Sequence, residues 1–362
     1  MNKAELKDLI KSGEVISQLD LSGMDLSGAD LSGGVFEEVV FRDADLHGAS
    51  LKESIFVRPD FSGAEMSGAN LHHAVIEQGI LRGVRMNNAY LVLATFNETD
   101  LSGASLQGAD LTIAVMVKPN LENADLSRTL LDRTSILEGA TRGMNLCEAL
   151  LKNTVLMKAD LSASDLQGAS FQGAVLLETN FSGKGMRGIR LPLCQLMKAN
   201  LTGCDLREAD LTQCNFKDAD LSKARLDGSR AGNALFISAT MTGASLRGAY
   251  LYQSLFPEAR MTLADFSNAD MQQCVMNDAN CRGAIFAGTD LTYTDLSRTD
   301  LSGADLSGAH LFRAKLHRIK EEGTIWRGAN RIVALGDDAD LAEAEQWQPH
   351  VSLRGHKQRK RN

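Results

Sequence analysis

The sequence predicts an all-β solenoid, a coil of short parallel strands with four sides to each turn. Two observations carry this. From Leu21 to Leu316 every fifth residue is large and apolar, and of these 60 centres only Thr141, Ala231 and Cys281 depart. Two residues before each centre the side chain is small (Ala, Gly, Ser, Thr or Cys) in 51 of 60 cases, and no insertion or deletion breaks the phase. A helix needs an apolar stripe near period 3.6 and a simple strand needs period 2, so a strict five fits neither. A five-residue unit forming one side of a square turn does fit: the centre and the small residue point inward, and the other three point outward.

A solenoid exposes unpaired strand edges at its ends, and these must be covered. Residues 1–17 are expected to supply the N-terminal cap, an amphipathic helix over 2–12 with Asn2 as N-cap, Glu5 three residues on, Leu6, Leu9 and Ile10 on one face and Gly13 as the stop. Residues 18–317 are the repeat domain. Its A(D/N)LXX units, such as the one around Ala29, Asp30 and Leu31, resemble the pentapeptide-repeat family. That resemblance implies a right-handed quadrilateral parallel β-helix with four units per coil, hence about 15 coils and, at about 4.8 Å per rung, a rod of roughly 70 Å.

The residues support a 20-residue period independently. We number the sides by their first centres: Leu21, Leu26, Leu31 and Phe36 open the first to fourth sides. Two residues after each centre, Gly fills 20 of 30 positions on the first and second sides and 2 of 30 on the third and fourth. Because Gly permits positive φ, this split predicts a different turn type on the first two sides. Phe36, Phe56, Phe96, Phe216, Phe236 and Phe256 fall on one inner ladder. Each buried ring contributes about 1.5–3 kcal/mol before chain entropy is subtracted.

Beyond the repeats, residues 318–353 hold both Trp residues and a helix near Asp338 to Trp347, and are expected to form the C-terminal cap. Residues 354–362 read as a disordered basic tail whose Arg354, Lys357, Arg359, Lys360 and Arg361 face no acid. Within the coil, Lys184 occupies a small inward slot, where a local bulge turning it outward is expected because a buried unpartnered Lys is costly. Pro59 and Pro119 sit in similar slots and cannot donate ladder hydrogen bonds.

Composition narrows the function. With 5% aromatic, 23% charged and 44% apolar residues, the chain is neither disordered nor collagenous. The opening MNKAELKDLIKSGE is too charged for a secretory signal, and no apolar run approaches a membrane span, so a soluble cytoplasmic protein without membrane insertion is expected. The six Cys show no metal spacing; Cys194, Cys204, Cys214 and Cys274 lie in small slots as core fillers, and no native Cys194–Cys214 disulfide is expected. His72 and His73 point outward from one unit without a third ligand. No nucleophile elbow, phosphate loop or dinucleotide fingerprint occurs, and the many Asp and Ser belong to the repeat. We therefore expect no catalytic, cofactor or metal site, and no enzyme.

Function then falls to the outward positions. Immediately before the fourth-side centres stand Val35, Ile55, Val75, Val115, Val155, Val175, Leu235, Leu255 and Val275, 9 of 15 against 5 of 45 on the other sides. Immediately after those centres come Val57, Val117, Leu137, Met157, Leu177, Met197 and Ile237. Contiguous apolar surface of this extent marks an interface, although β-branched residues also stack well along a ladder. Beside it run Lys118, Glu138, Lys158, Glu178, Lys198 and Asp218, placed to pair between coils. These features predict a protein-binding scaffold or adaptor that meets a partner, or another copy, through the apolar side.

The opening repeats are similar to pentapeptide-repeat regions associated with bacterial type VI secretion adaptors. The alternative is a DNA-mimicking modulator or protector of DNA gyrase, which the family resemblance implies and for which Asp20, Asp60, Asp100, Asp160, Asp220 and Asp300 supply acidic rows. A net charge of -8 argues against nucleic acid as a partner of the body, leaving only the basic tail for such contact.

Overall fold

Leu6, Leu9 and Ile10 share one helical face, and in the computed structural model, which describes residues 3–347, helix α1 (Lys3–Ser12) lays it on the open end of the coil. Leu6 is fully buried, and Leu9 and Ile10 pack against the core. Gly13, at φ +73°, ends the helix with its N–H on the Ile10 carbonyl. Lys3 Nζ reaches Asp25 at 2.9 Å on the second coil side. The proposed N-cap Asn2 and the basic tail lie outside the described residues.

Eight three-residue strands follow on the fourth side: β1 (Val15–Ser17), β2 (Val35–Glu37), β3 (Ile55–Val57), β4 (Val75–Glu77), β5 (Thr95–Asn97), β6 (Val115–Val117), β7 (Ser135–Leu137) and β8 (Val155–Met157). They form one all-parallel sheet in chain order, each residue paired with the one 20 positions on, as in Val35 with Ile55 and Phe36 with Phe56. The other sides keep the same register through single bridging residues, such as Asp20 with Val40, Asp25 with Asp45 and Asp30 with Ser50.

Regular strand thus spans about seven turns, against the fifteen coils expected. Beyond Met157 the fourth side contracts to one bridging residue, because its neighbours enter turns as they do on the other sides. The 20-residue register continues in this form to Lys315 with Leu335.

Centres and small residues fill the interior. Phe36 stacks on Phe56 at 4.8 Å, Phe216 on Phe236 at 4.9 Å and Phe236 on Phe256 at 4.8 Å, one rung apart in each case. Phe41 and Phe61 form a second stack on the first side at 4.6 Å. Polar residues in the small slots satisfy themselves on the preceding coil: Ser54 Oγ donates to the Leu31 carbonyl at 2.9 Å and Thr179 Oγ1 to that of Leu156 at 3.0 Å. Pro119 is accommodated by Gly139 one coil later, where an added Cβ would stand 2.7 Å from the Pro119 carbonyl oxygen.

The turn prediction is corrected. Except at Ala163, the residue two after the centre is left-handed on all four sides whether or not it is Gly, with Leu93 at φ 62°, Lys118 at 49° and Glu208 at 59°. The coil geometry imposes this conformation, so the Gly split does not report turn type. Lys184 also departs from expectation. It is half-buried rather than turned out to solvent, and its ammonium donates to the Ser164 carbonyl of the coil below.

At the far end, Asp338 caps helix α2 (Ala339–Gln346) by accepting from Leu341 N–H at 3.0 Å. No residue of α2 is buried; Glu345 anchors it to the coil through Arg298 at 2.8 Å and Arg318 at 2.5 Å. Ile325, Ile332 and Leu335, which precede α2 in the chain, remain exposed.

Candidate interaction surface

Parallel pairing converts 20-residue spacing into contact. It places Val35, Ile55 and Val75 side by side on β2 to β4, with Thr95 separating them from Val115 and Ser135 separating Val115 from Val155. Val155 then bridges Val175, and Leu235, Leu255 and Val275 form a second run after Gln195 and Asn215 interrupt the first. On the next column Val117, Leu137 and Met157 are direct partners, whereas Val57 is separated from them by Glu77 and Asn97. Leu177, Met197 and Ile237 occupy the same phase farther on.

Neighbours along the ladder cover one another, so every one of these side chains is half-buried except Ile55, which is exposed. The flanking charges pair in part: Lys158 with Glu138 at 3.6 Å, and Lys118 with Glu98 rather than Glu138 at 3.5 Å. Such half-exposed pairs contribute about 0–1 kcal/mol each.

A larger group of exposed large apolar side chains lies on the adjacent third side, where Tyr90, Leu130, Leu150, Leu193, Tyr250, Tyr293 and Phe312 are 41–50% exposed. Counting Val, Ile and Leu at one phase found only Leu130 and Leu150 among them. Three are Tyr and one is Phe, and they are divided between bridging and turn positions. Tyr250 and Tyr252 stack at 6.2 Å, and Arg313 lies 5.8 Å from the Tyr293 ring.

The acidic rows are tied into the backbone. Asp20, Asp60, Asp100, Asp160, Asp220 and Asp300 each accept the N–H two residues on, and Asp60, Asp100 and Asp300 also pair with Arg42, Arg82 and Arg282. For Asp60, burial raises the carboxyl pKa, but the Ser62 hydroxyl and amide together with Arg42 outweigh it and leave it below the ordinary value.

The cysteines are free. Four donate to carbonyls of the preceding coil, as Cys194 does to Phe171 at 2.7 Å. Burial pushes Cys194 up to about 12 and Cys204 up to about 11. Since the thiolate is the reactive form, a thiol reagent at pH 8 is expected to label at most half-exposed Cys147 in the native protein and all six thiols in guanidinium. Rapid native labelling of two or more contradicts the buried arrangement. His72 and His73 meet edge to face at 4.5 Å, and among the described residues no group of three or more His, Cys, Asp or Glu is arranged to hold a metal. No helix among those residues is long and apolar enough to cross a membrane.

Comparison with curated proteins returned no match. Solved structures similar to this chain include a pentapeptide repeat protein, Rfr23, from the cyanobacterium Cyanothece 51142, at 27% identity over 27% of this chain and 64% of that one, TM-score 0.21. HetL, a pentapeptide repeat protein involved in heterocyst differentiation regulation from Nostoc sp. strain PCC 7120, matches at 23% identity over 93% and 98%, TM-score 0.16. QnrB1, a plasmid-mediated fluoroquinolone resistance protein, matches at 24% identity over 59% and 94%, TM-score 0.22. The profile for pentapeptide repeats matches residues 20–58, 81–112, 94–133, 142–173, 154–183, 194–230, 239–278, 264–303 and 274–318, more than half of the sequence. On that match, and with the four-sided 20-residue coil that accompanies it, the chain belongs to the pentapeptide-repeat family.

Proposed function

We propose that this protein is a non-catalytic, cytoplasmic scaffold or adaptor that docks a protein partner, or a second copy of itself, on the fourth side of the rod. The observation that carries this reading is the apolar column from Val35 to Val175 along the parallel ladder, interrupted by Thr95 and Ser135 and flanked by charges that pair in part. A link to bacterial type VI secretion is a finer version of the same reading and rests on the opening repeats alone. The gyrase-directed reading ranks lower, because the carboxylates of its acidic rows are engaged by their own turns and by Arg42, Arg82 and Arg282.

The test is a triple Val115→Glu, Val155→Glu, Val175→Glu variant, its fold checked by circular dichroism. Light scattering after gel filtration, and capture of candidate type VI components, are expected to show at least tenfold weaker association than the parent. Unchanged oligomeric state, capture and solubility would remove the reading. Stoichiometric protection or inhibition of gyrase in a supercoiling assay would replace it with the alternative.

A further inference from the structure

On the second side the bridging ladder fails once. Above the failure the pattern is regular: Met186 N–H donates to the Asp205 carbonyl at 2.8 Å, Gly188 N–H to that of Arg207 at 2.8 Å and Asp205 N–H to that of Lys184 at 2.9 Å. One coil earlier the equivalent donors, Leu166, Gly168 and Gly185 N–H, have no partner among the described residues, and Asp165 does not bridge Gly185. Among the described residues, Gly185 and Arg187 correspondingly leave their carbonyls unpaired.

Two residues account for the opening. Lys184 places a long side chain where the repeat calls for a small one, and its Nζ takes the Ser164 carbonyl that Gly185 N–H would otherwise use. Ala163 is the single turn residue of its phase between Gln18 and Gly328 outside the left-handed region, and its N–H also lacks a partner among the described residues. The result is a slot of about 570 Å³ between residues 165–170 and 184–190.

We propose that this slot binds an extended acidic peptide segment of a partner protein, which enters as an additional rung between two coils. One lip offers the Leu166 and Gly168 N–H groups, and the other offers the Gly185 and Arg187 carbonyls with the Gly185 N–H, and a polypeptide backbone in β conformation supplies the complement of both. A simple anion would satisfy the donors and leave the Gly185 and Arg187 carbonyls bare. The upper lip is clear, since an added Cβ at Gly185 or Gly188 would meet nothing within 4 Å.

Lys184, Arg187 and Arg190 outnumber Asp165 around the slot, and Arg190 has no ion-pair partner among the described residues while Arg187 holds Glu208 at 2.6 Å. This charge selects an acidic segment and argues against the chain's own basic C-terminus as the occupant.

The probe is a fluorescein-labelled, capped heptapeptide of alternating Glu and Val, titrated onto the full chain by anisotropy. Saturable binding is expected, at least tenfold weaker when alternate peptide nitrogens are methylated and when Lys replaces Glu. Hydrogen exchange is expected to show fast Leu166 and Gly168 amides that the peptide protects. Lys184→Ala should let the coils close, protecting both amides without peptide and weakening binding tenfold. Arg190→Glu, which leaves the slot open, should weaken binding and reduce its salt dependence. Absence of saturable binding, equal binding of the methylated peptide, full competition by free glutamate, or protection away from Leu166 and Gly168 would each overturn the proposal.

Discussion

Phe236→Ala is expected to lower stability by about 3–5 kcal/mol, the cost of emptying a ring-sized volume in a close-packed core. Phe236 is fully buried and lies between Phe216 and Phe256, nearly parallel to both at 6° and 5°. No flexible loop lies beside it to collapse into the space, because its neighbours are the same residue positions of adjacent coils. Phe236→Leu, which keeps an apolar centre of the kind the repeat uses elsewhere, should cost less than half as much. The loss should also be local. Pairing links each coil only to the next, so hydrogen exchange should quicken around residues 216–256 while the coils built on β1 to β8 keep their protection. A uniform loss across the molecule, or a cost below about 1 kcal/mol, would contradict this account of the core.

Acid should unfold the protein through the same residues that shape its turns. Asp20, Asp30, Asp100, Asp160, Asp220 and Asp300 all have carboxyl pKa values below the ordinary one. At Asp160 the Ser162 hydroxyl is the leading cause, whereas at Asp100 and Asp300 burial opposes the shift and is outweighed by turn hydrogen bonds and an arginine. At Asp205 the Arg207 guanidinium brings the value to about 2. A carboxyl held lower in the folded chain than in the unfolded one stabilises the fold above its unfolded pKa, and that contribution disappears as pH falls through the folded value. The guanidinium midpoint should therefore be level above about pH 5 and fall steadily from about pH 4 toward pH 2. Replacing Asp160 and Asp300 by Asn, which retains an acceptor without the charge, should flatten that fall. A midpoint insensitive to pH over this interval would show that the turn carboxylates do not govern acid stability.

Much of this architecture was legible because the period-five pattern places the same side chain in the same surroundings repeatedly. Leu26, Phe36 and Ala44 are buried for a reason visible in their spacing. The turn conformation was not legible from Gly, since the closed coil drives Leu93 and Ile113 into a left-handed conformation that neither residue prefers alone. The apolar column could be located by counting, but its half-burial comes from residues 20 positions away covering one another. Lys184 and Ala163 could each be seen as irregularities. Their combined effect appears only when the coils are stacked, because the bonds missing at Leu166, Gly168 and Gly185 lie on neighbouring residues, with that of Ala163 alone on an irregular residue itself.

The constant 20-residue register makes the rod behave like a reading frame with two levels of tolerance. Gain or loss of a whole turn leaves every later residue facing the direction it faced before, so the molecule can lengthen without redesigning its flanks. Gain or loss of a single five-residue unit would still fill the interior, since one large centre replaces another, yet everything downstream would be rotated by a quarter turn. Val155 and its successors would then continue on a neighbouring flank. Folding constrains such changes to multiples of five, and the continuity of the apolar column constrains them to multiples of twenty.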